Sequence, residues 1–216
     1  MRNLIIVATA LTFILASCKK DNNNEPTTQL QTPSADYFKL AVGNYWVYER
    51  WKIDANGVPS NLGTLDSAYV DGDTVMNGNT YYDYRYSLAL NSPNWIRDSS
   101  GILINSIGEV LATNQLSTGV FKVSYITINL DTVADVDHFM TPTQVSITVP
   151  AGSFQCIQYN GEHTFRPPFD LTLNSGANPK TMQEEYTDGI GKIRYCYYYA
   201  SMPDRFENRL LRYNVQ

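Results

Sequence analysis

The chain has 216 residues and a formal net charge of −5, from 16 Lys and Arg against 21 Asp and Glu. A modest acidic balance without basic clusters argues against nucleic acid as a partner. The length suits one domain of ordinary size with a substantial core.

The first seventeen residues have a pattern unrelated to folding. Arg2 supplies a positive start, residues 4–15 are apolar apart from two threonines, and the small residues Ala16 and Ser17 follow. This is the order of a secretory signal. A dozen apolar residues are too few for a permanent membrane span, which needs about 20.

The segment ends in Leu15-Ala16-Ser17-Cys18, which resembles the lipobox of bacterial lipoproteins. The resemblance implies that Cys18 becomes the first mature residue and carries the lipid. Each buried CH₂ of such a lipid contributes about 0.8 kcal/mol, and two or more chains give stable anchoring to a lipid bilayer. Residues 1–17 are therefore expected to be a signal peptide. Residues 18–35, rich in Asn, Thr, Gln and Pro, should form a disordered tether, because they lack the apolar groups that offset ordering entropy. The Cys18-Lys19-Lys20-Asp21 start is similar to that of Bacteroidota lipoproteins. That resemblance implies an outer-membrane anchor, with the cell surface and the periplasmic side both open.

Residues 36–216 read as one β domain. An aromatic and β-branched run over 45–53 is followed by Asn77-Gly78 between two strand-like runs, a strong hairpin signal. Tyr82, Tyr84, Tyr86, Leu88 and Leu90 share one parity, with Asp83, Arg85 and Ser87 on the other. That period of two marks a half-buried strand. Residues 95–98 and 102–107 flank Ser99-Ser100-Gly101 as a second hairpin, and 122–130 is strand-like with Ile126, Ile128 and Leu130 on one face. Val145, Ile147 and Val149 alternate with Ser146 and Thr148 before a turn at Pro150-Ala151-Gly152. The last third predicts strands over 184–187, 190–199 and 205–213. Short strands divided by Gly and Asn turns indicate an antiparallel sheet, sandwich or barrel.

Three phrases, residues 37–48 (Tyr-Phe-Lys-Leu-Ala-Val-Gly-Asn-Tyr-Trp-Val-Tyr), 148–156 (Thr-Val-Pro-Ala-Gly-Ser-Phe-Gln-Cys) and 186–195 (Tyr-Thr-Asp-Gly-Ile-Gly-Lys-Ile-Arg-Tyr), resemble a loose set of uncharacterised bacterial lipoproteins. The resemblance implies an all-β fold built on a strongly curved antiparallel sheet, a half-barrel or open barrel. It brings no catalytic residues with it, and fold alone does not give function.

Candidate chemistry is sparse. Asp135-Val136-Asp137-His138 lacks the ligand spacing of zinc or calcium loops and reads as a solvated polar turn. His163 stands beside Glu162 at a strand end, with no nucleophile elbow to serve. Glu184 and Glu185, as strand neighbours, should point to opposite faces and read as a charged strand edge. Gly189-Ile190-Gly191 reads as a β-turn or bulge rather than a phosphate loop. No catalytic residue, metal or cofactor is assigned, and an enzyme is not expected. Cys156 and Cys196 are either a disulfide of the oxidising envelope or two buried free thiols.

Tyrosine is the unusual feature, with sixteen in the chain. The rings stabilise a sheet, or they form a concave face holding a hydrophobic ligand or glycan, with Tyr82, Tyr84 and Tyr86 as the ligand-binding candidates. Two function classes follow: a membrane-anchored binding lipoprotein, and a surface structural or interaction lipoprotein that meets an envelope protein without a small-molecule ligand.

Overall fold

The computed structural model describes residues 35–87, 93–117, 119–169, 179–199 and 201–216. The signal segment, Cys18 and its tether, Leu88 and Leu90 lie outside the described residues. Residues Ala35–Gln216 form one compact unit.

Among the described residues thirteen strands follow one another: β1 Tyr45–Ile53, β2 Pro59–Met76, β3 Asn79–Tyr86, β4 Trp95–Asp98, β5 Ile102–Asn105, β6 Val110–Thr113, β7 Val120–Ile128, β8 Asp131–Met140, β9 Val145–Val149, β10 Gly152–Phe165, β11 Lys180–Thr187, β12 Gly191–Tyr198 and β13 Arg205–Asn214. All pairings are antiparallel, in the order β6-β5-β4-β3-β2-β1-β13-β12-β11-β10-β8-β7, with β9 paired to the start of β10. The twelve-strand path curls into a nearly closed barrel with one unsealed seam, between β6 and β7. The curved antiparallel sheet expected from the sequence is the fold observed.

Local chemistry explains the turns. Asn77 and Gly78 both have positive φ, 51° and 77°, as a two-residue turn of primed type requires between right-twisted strands. Ser100 and Gly101 do the same between β4 and β5.

The segment ahead of β1 closes one end of the barrel. Its Asp36 carbonyl accepts from Gly189 N at 2.9 Å, and Gly43 N donates to the Val70 carbonyl at 3.0 Å. Buried Asn44 donates through Nδ2 to the Lys39 carbonyl and accepts from Gln216 N through Oδ1. This pins Phe38 against Tyr186 edge-to-face, with ring centroids 5.3 Å apart. Trp46, Tyr48, Val70, Ile157, Ile193 and Leu210 fill the core around it.

Three expectations need correction, and of the two open readings of the cysteines the free thiols are found. The run Asp135-Val136-Asp137-His138 is no turn but the middle of β8, paired on both sides with β7 and β10. Two of its polar side chains are held in place: Asp135 pairs with Arg166, and His138 turns inward to the Tyr159 hydroxyl. Leu130 is 98% exposed in the turn after β7 and not on a strand face, because Asn129 and Leu130 both take positive φ there. Glu184 and Glu185 do point opposite ways, but β11 lies between β10 and β12 and is no edge. Glu185 is fully buried on the face away from the interior, where Arg194 grips it through two nitrogens at 2.7 and 3.0 Å. The disulfide is not formed, and both cysteines are buried free thiols. Cys156 adjoins Ile157, which is registered with Tyr186, whereas Cys196 follows Tyr195, registered with Glu184. The two thiols are thus two strands apart and several residues out of step. At about 4.8 Å per strand and 3.4 Å per residue, this exceeds the roughly 7 Å a disulfide can span between Cα atoms.

Candidate functional site

A cavity of about 230 Å³ lies inside the barrel. One wall comes from consecutive strands: Tyr84 and Tyr86 of β3, Ile96 of β4, Leu103 of β5 and Leu111 of β6. The opposite wall is Tyr159 of β10, Glu184 and Tyr186 of β11, and Lys192 of β12. Phe38 and Leu40, from the segment ahead of β1, close the end. The cavity therefore has a mainly aliphatic pole, to which Asn94 adds an amide, and a polar pole of phenols and one ion pair.

A β-bulge builds the polar pole. Glu185 is registered with Arg194 but Tyr186 with Lys192, so Ile193 is the extra residue. In a regular strand Lys192 and Tyr195, three positions apart, would face opposite sides. The bulge resets the alternation and turns both inward. Lys192 Nζ then meets Glu184 Oε2 at 2.8 Å and Tyr86 Oη at 2.9 Å. It also stands 5.3–5.6 Å from the ring centroids of Tyr86, Tyr186 and Tyr195. The Tyr186 hydroxyl donates to the same Glu184 oxygen. Burial raises the phenols of Tyr84, Tyr86 and Tyr186 well above the ordinary value. They remain neutral donors at any physiological pH.

Of the three tyrosines singled out from the sequence, Tyr84 and Tyr86 line this cavity, and Tyr82 is half-buried against the core beside them. Tyr84 packs on Trp46 and Tyr86, with centroids 5.6 and 5.4 Å away. The opposite parity does not simply face water, as the alternation had suggested. Asp83 is only 2% exposed, because Arg85 covers it through hydrogen bonds of 2.8 and 2.5 Å and Asn94 N donates to its other oxygen.

Sequence reasoning missed Lys192 and Glu184 as partners. The one available signal was the three-residue spacing of Lys192 and Tyr195 after Gly191, which implies a bulge only once both are known to face inward.

A second polar arrangement joins the seam to the cavity. Ser124 Oγ on β7 lies 2.7 Å from His138 Nε2, and His138 Nδ1 lies 2.6 Å from the hydroxyl of Tyr159, a cavity-lining residue. Gly161 is registered opposite His138. A Cβ there would stand 3.2 Å from the Tyr159 hydroxyl, so glycine leaves room for the phenol to lean toward the imidazole. Burial, reinforced by Lys122, lowers the His138 pKa and keeps the ring neutral. No group of three or more His, Cys, Asp or Glu suited to a metal ion occurs among the described residues.

No family model matches the chain, and no curated protein matches it. Two solved structures are similar. One is a protein from Bacteroides fragilis described as exported and having a YmcC-like fold, 16% identical, covering 83% of this chain and 99% of its own, with a TM-score of 0.46. The other, from Parabacteroides distasonis, is described as a lipoprotein; it is 14% identical with the same coverages and a TM-score of 0.40. At these values neither lends residues or roles to this chain.

Proposed function

We propose that the protein is a lipid-anchored envelope lipoprotein that binds a small amphipathic molecule inside its barrel and holds it without transforming it. The observation that carries this reading is the interior cavity itself, with aliphatic walls at one pole and converging hydroxyls and an ion pair at the other. Largely apolar concavities with a few placed polar groups are the usual form of small-molecule sites. The Leu15-Ala16-Ser17-Cys18 motif supports the anchor and the extracytoplasmic location.

Two measurements test the reading. Organic extracts of protein purified from its native host should contain a molecule that mass spectrometry finds at near-stoichiometric amount, and that Leu111→Trp, which fills the apolar pole, no longer retains. A clean extract, together with no detectable uptake of added amphiphiles, would sink the binding claim. Cys18→Ser should leave the protein unlipidated and no longer partitioning with membranes. An unmodified Cys18 in mature native protein would overturn the anchor.

One observation favours the alternative interaction surface. Val120, Val123, Tyr125 and Ile128 of edge strand β7 are all exposed, Tyr125 at 61%. A partner protein captured on this strand, and lost with Tyr125→Ser while the cavity stays empty, would put that reading first.

A further inference from the structure

We infer that Lys192 and Glu184 act as one charge-selective device that admits an uncharged, hydroxyl-bearing head group and rejects ionic ones; this rests on the binding reading above. The pair sits at the polar pole of the cavity with a contact of 2.8 Å, Lys192 being almost fully buried. Of the three ammonium donors, one goes to Glu184 and one to the Tyr86 hydroxyl. On the other partner, Glu184 Oε2 is shared by Lys192 and Tyr186, while Oε1 holds no hydrogen bond among the described residues. The ion pair itself therefore carries no net charge, yet it retains one ammonium N–H and one carboxylate oxygen.

This arrangement treats head groups differently. A carboxylate or phosphate has to compete with Glu184 for Lys192 and leaves two anions together in a poorly solvated site. An ammonium head meets the same obstacle at Lys192, whose own charge already occupies the ring faces of Tyr86, Tyr186 and Tyr195. A neutral polyol needs no counter-ion. One hydroxyl can donate to Glu184 Oε1 while another accepts from Lys192 Nζ, and its short apolar arm lies toward Leu103 and Leu111. At about 230 Å³ the cavity is smaller than the roughly 300–1,000 Å³ typical of drug-sized ligands. The bound portion is therefore small.

The test uses three eight-carbon amphiphiles with matched tails, octyl glucoside, octanoate and octylammonium, titrated by calorimetry below their micelle concentrations. The protein is the whole mature chain with Cys18→Ser. The glucoside should bind at least tenfold tighter than either ion. Glu184→Gln should raise octanoate affinity about tenfold, and Lys192→Met should do the same for octylammonium. Should either single variant fail to fold, the double variant Glu184→Gln, Lys192→Met removes both charges and should bind all three probes within about threefold. Octanoate binding as tightly as the glucoside to the unaltered pole, or folded variants that keep the original order, overturns the selectivity device and leaves the binding reading standing. No binding of any probe to any folded form overturns both.

Discussion

Gly191 faces the indole of Trp46 at a spacing that leaves little room for a side chain. A Cβ on Gly191 would lie 3.2 Å from Trp46 Cζ2, while the indole Nε1 donates to the neighbouring Ile190 carbonyl at 2.7 Å. The glycine also holds φ at 101°, a region L side chains rarely adopt. Gly191→Ala should therefore lose stability. Backbone strain of this kind costs about 1–3 kcal/mol, more than the about 0.4–1 kcal/mol gained by restricting the unfolded chain. For a chain of this size each kcal/mol lowers the melting temperature by about 2–4 °C. An unchanged melting temperature would show that the Trp46 contact imposes no constraint.

Tyr84 separates a packing role from a purely ligand-facing one. It is 6% exposed and touches two other rings. Truncation to alanine should cost about 3–5 kcal/mol, as for other large buried aromatics. Denaturant unfolding measures this. Tyr86→Phe, which removes only the hydroxyl that accepts from Lys192, should cost far less.

The cysteines should be chemically silent in the native state. Burial pushes the thiols of Cys156 and Cys196 up to about 12, so almost no thiolate exists at pH 8 to attack a reagent. Iodoacetamide should label both only after unfolding. An intact mass short by two hydrogens would reveal a disulfide instead.

Acid should weaken the fold before the carboxylates titrate. Burial, with a smaller contribution from His138, lowers His163 to about 4, and burial also lowers His138. An ordinary histidine in the unfolded chain titrates near about 6.5. Because the folded pKa values lie below the unfolded ones, the stability these rings contribute is full above about pH 6.5. It falls as the pH drops from there toward 4. Ring-proton NMR should place the His163 midpoint near 4, and the melting temperature should decline between pH 7 and 5. His163→Asn should flatten part of that decline. A His163 midpoint near 6.5 would contradict this.

Much of the fold was legible wherever alternation and turn chemistry agreed. Asn77-Gly78, the alternation in 145–149 with its Pro-Ala-Gly turn, and the parity of Tyr82, Tyr84 and Tyr86 all correspond to observed elements. Residues 135–138 misled because side-chain charge was read as solvent exposure, whereas β8 is flanked by strands on both sides and satisfies Asp135 and His138 through Arg166, Ser124 and Tyr159. The start of β2 was missed for a related reason. Residues 59–65 are all exposed, so no buried face imprints a period of two on them. Half of the candidate site could be read from the tyrosines. The other half depends on one bulge that changes which way Lys192 points, and bulges leave no hydrophobic pattern of their own.

The unsealed seam has a mechanical consequence. Each of the other strand boundaries around the barrel is a ladder of backbone hydrogen bonds, which resists widening. Across the seam, the turn before β6 and strand β7 are linked by the ion pair of Glu109 with Lys122, at 3.5 Å. This pair is open to water and so contributes little. A lengthwise slot of this kind works as a slit in a sleeve. Residues 114–119 join β6 to β7 at one end of this line, so the slit is open only along the rest of its length, where the Ser124–His138–Tyr159 chain connects it to the interior.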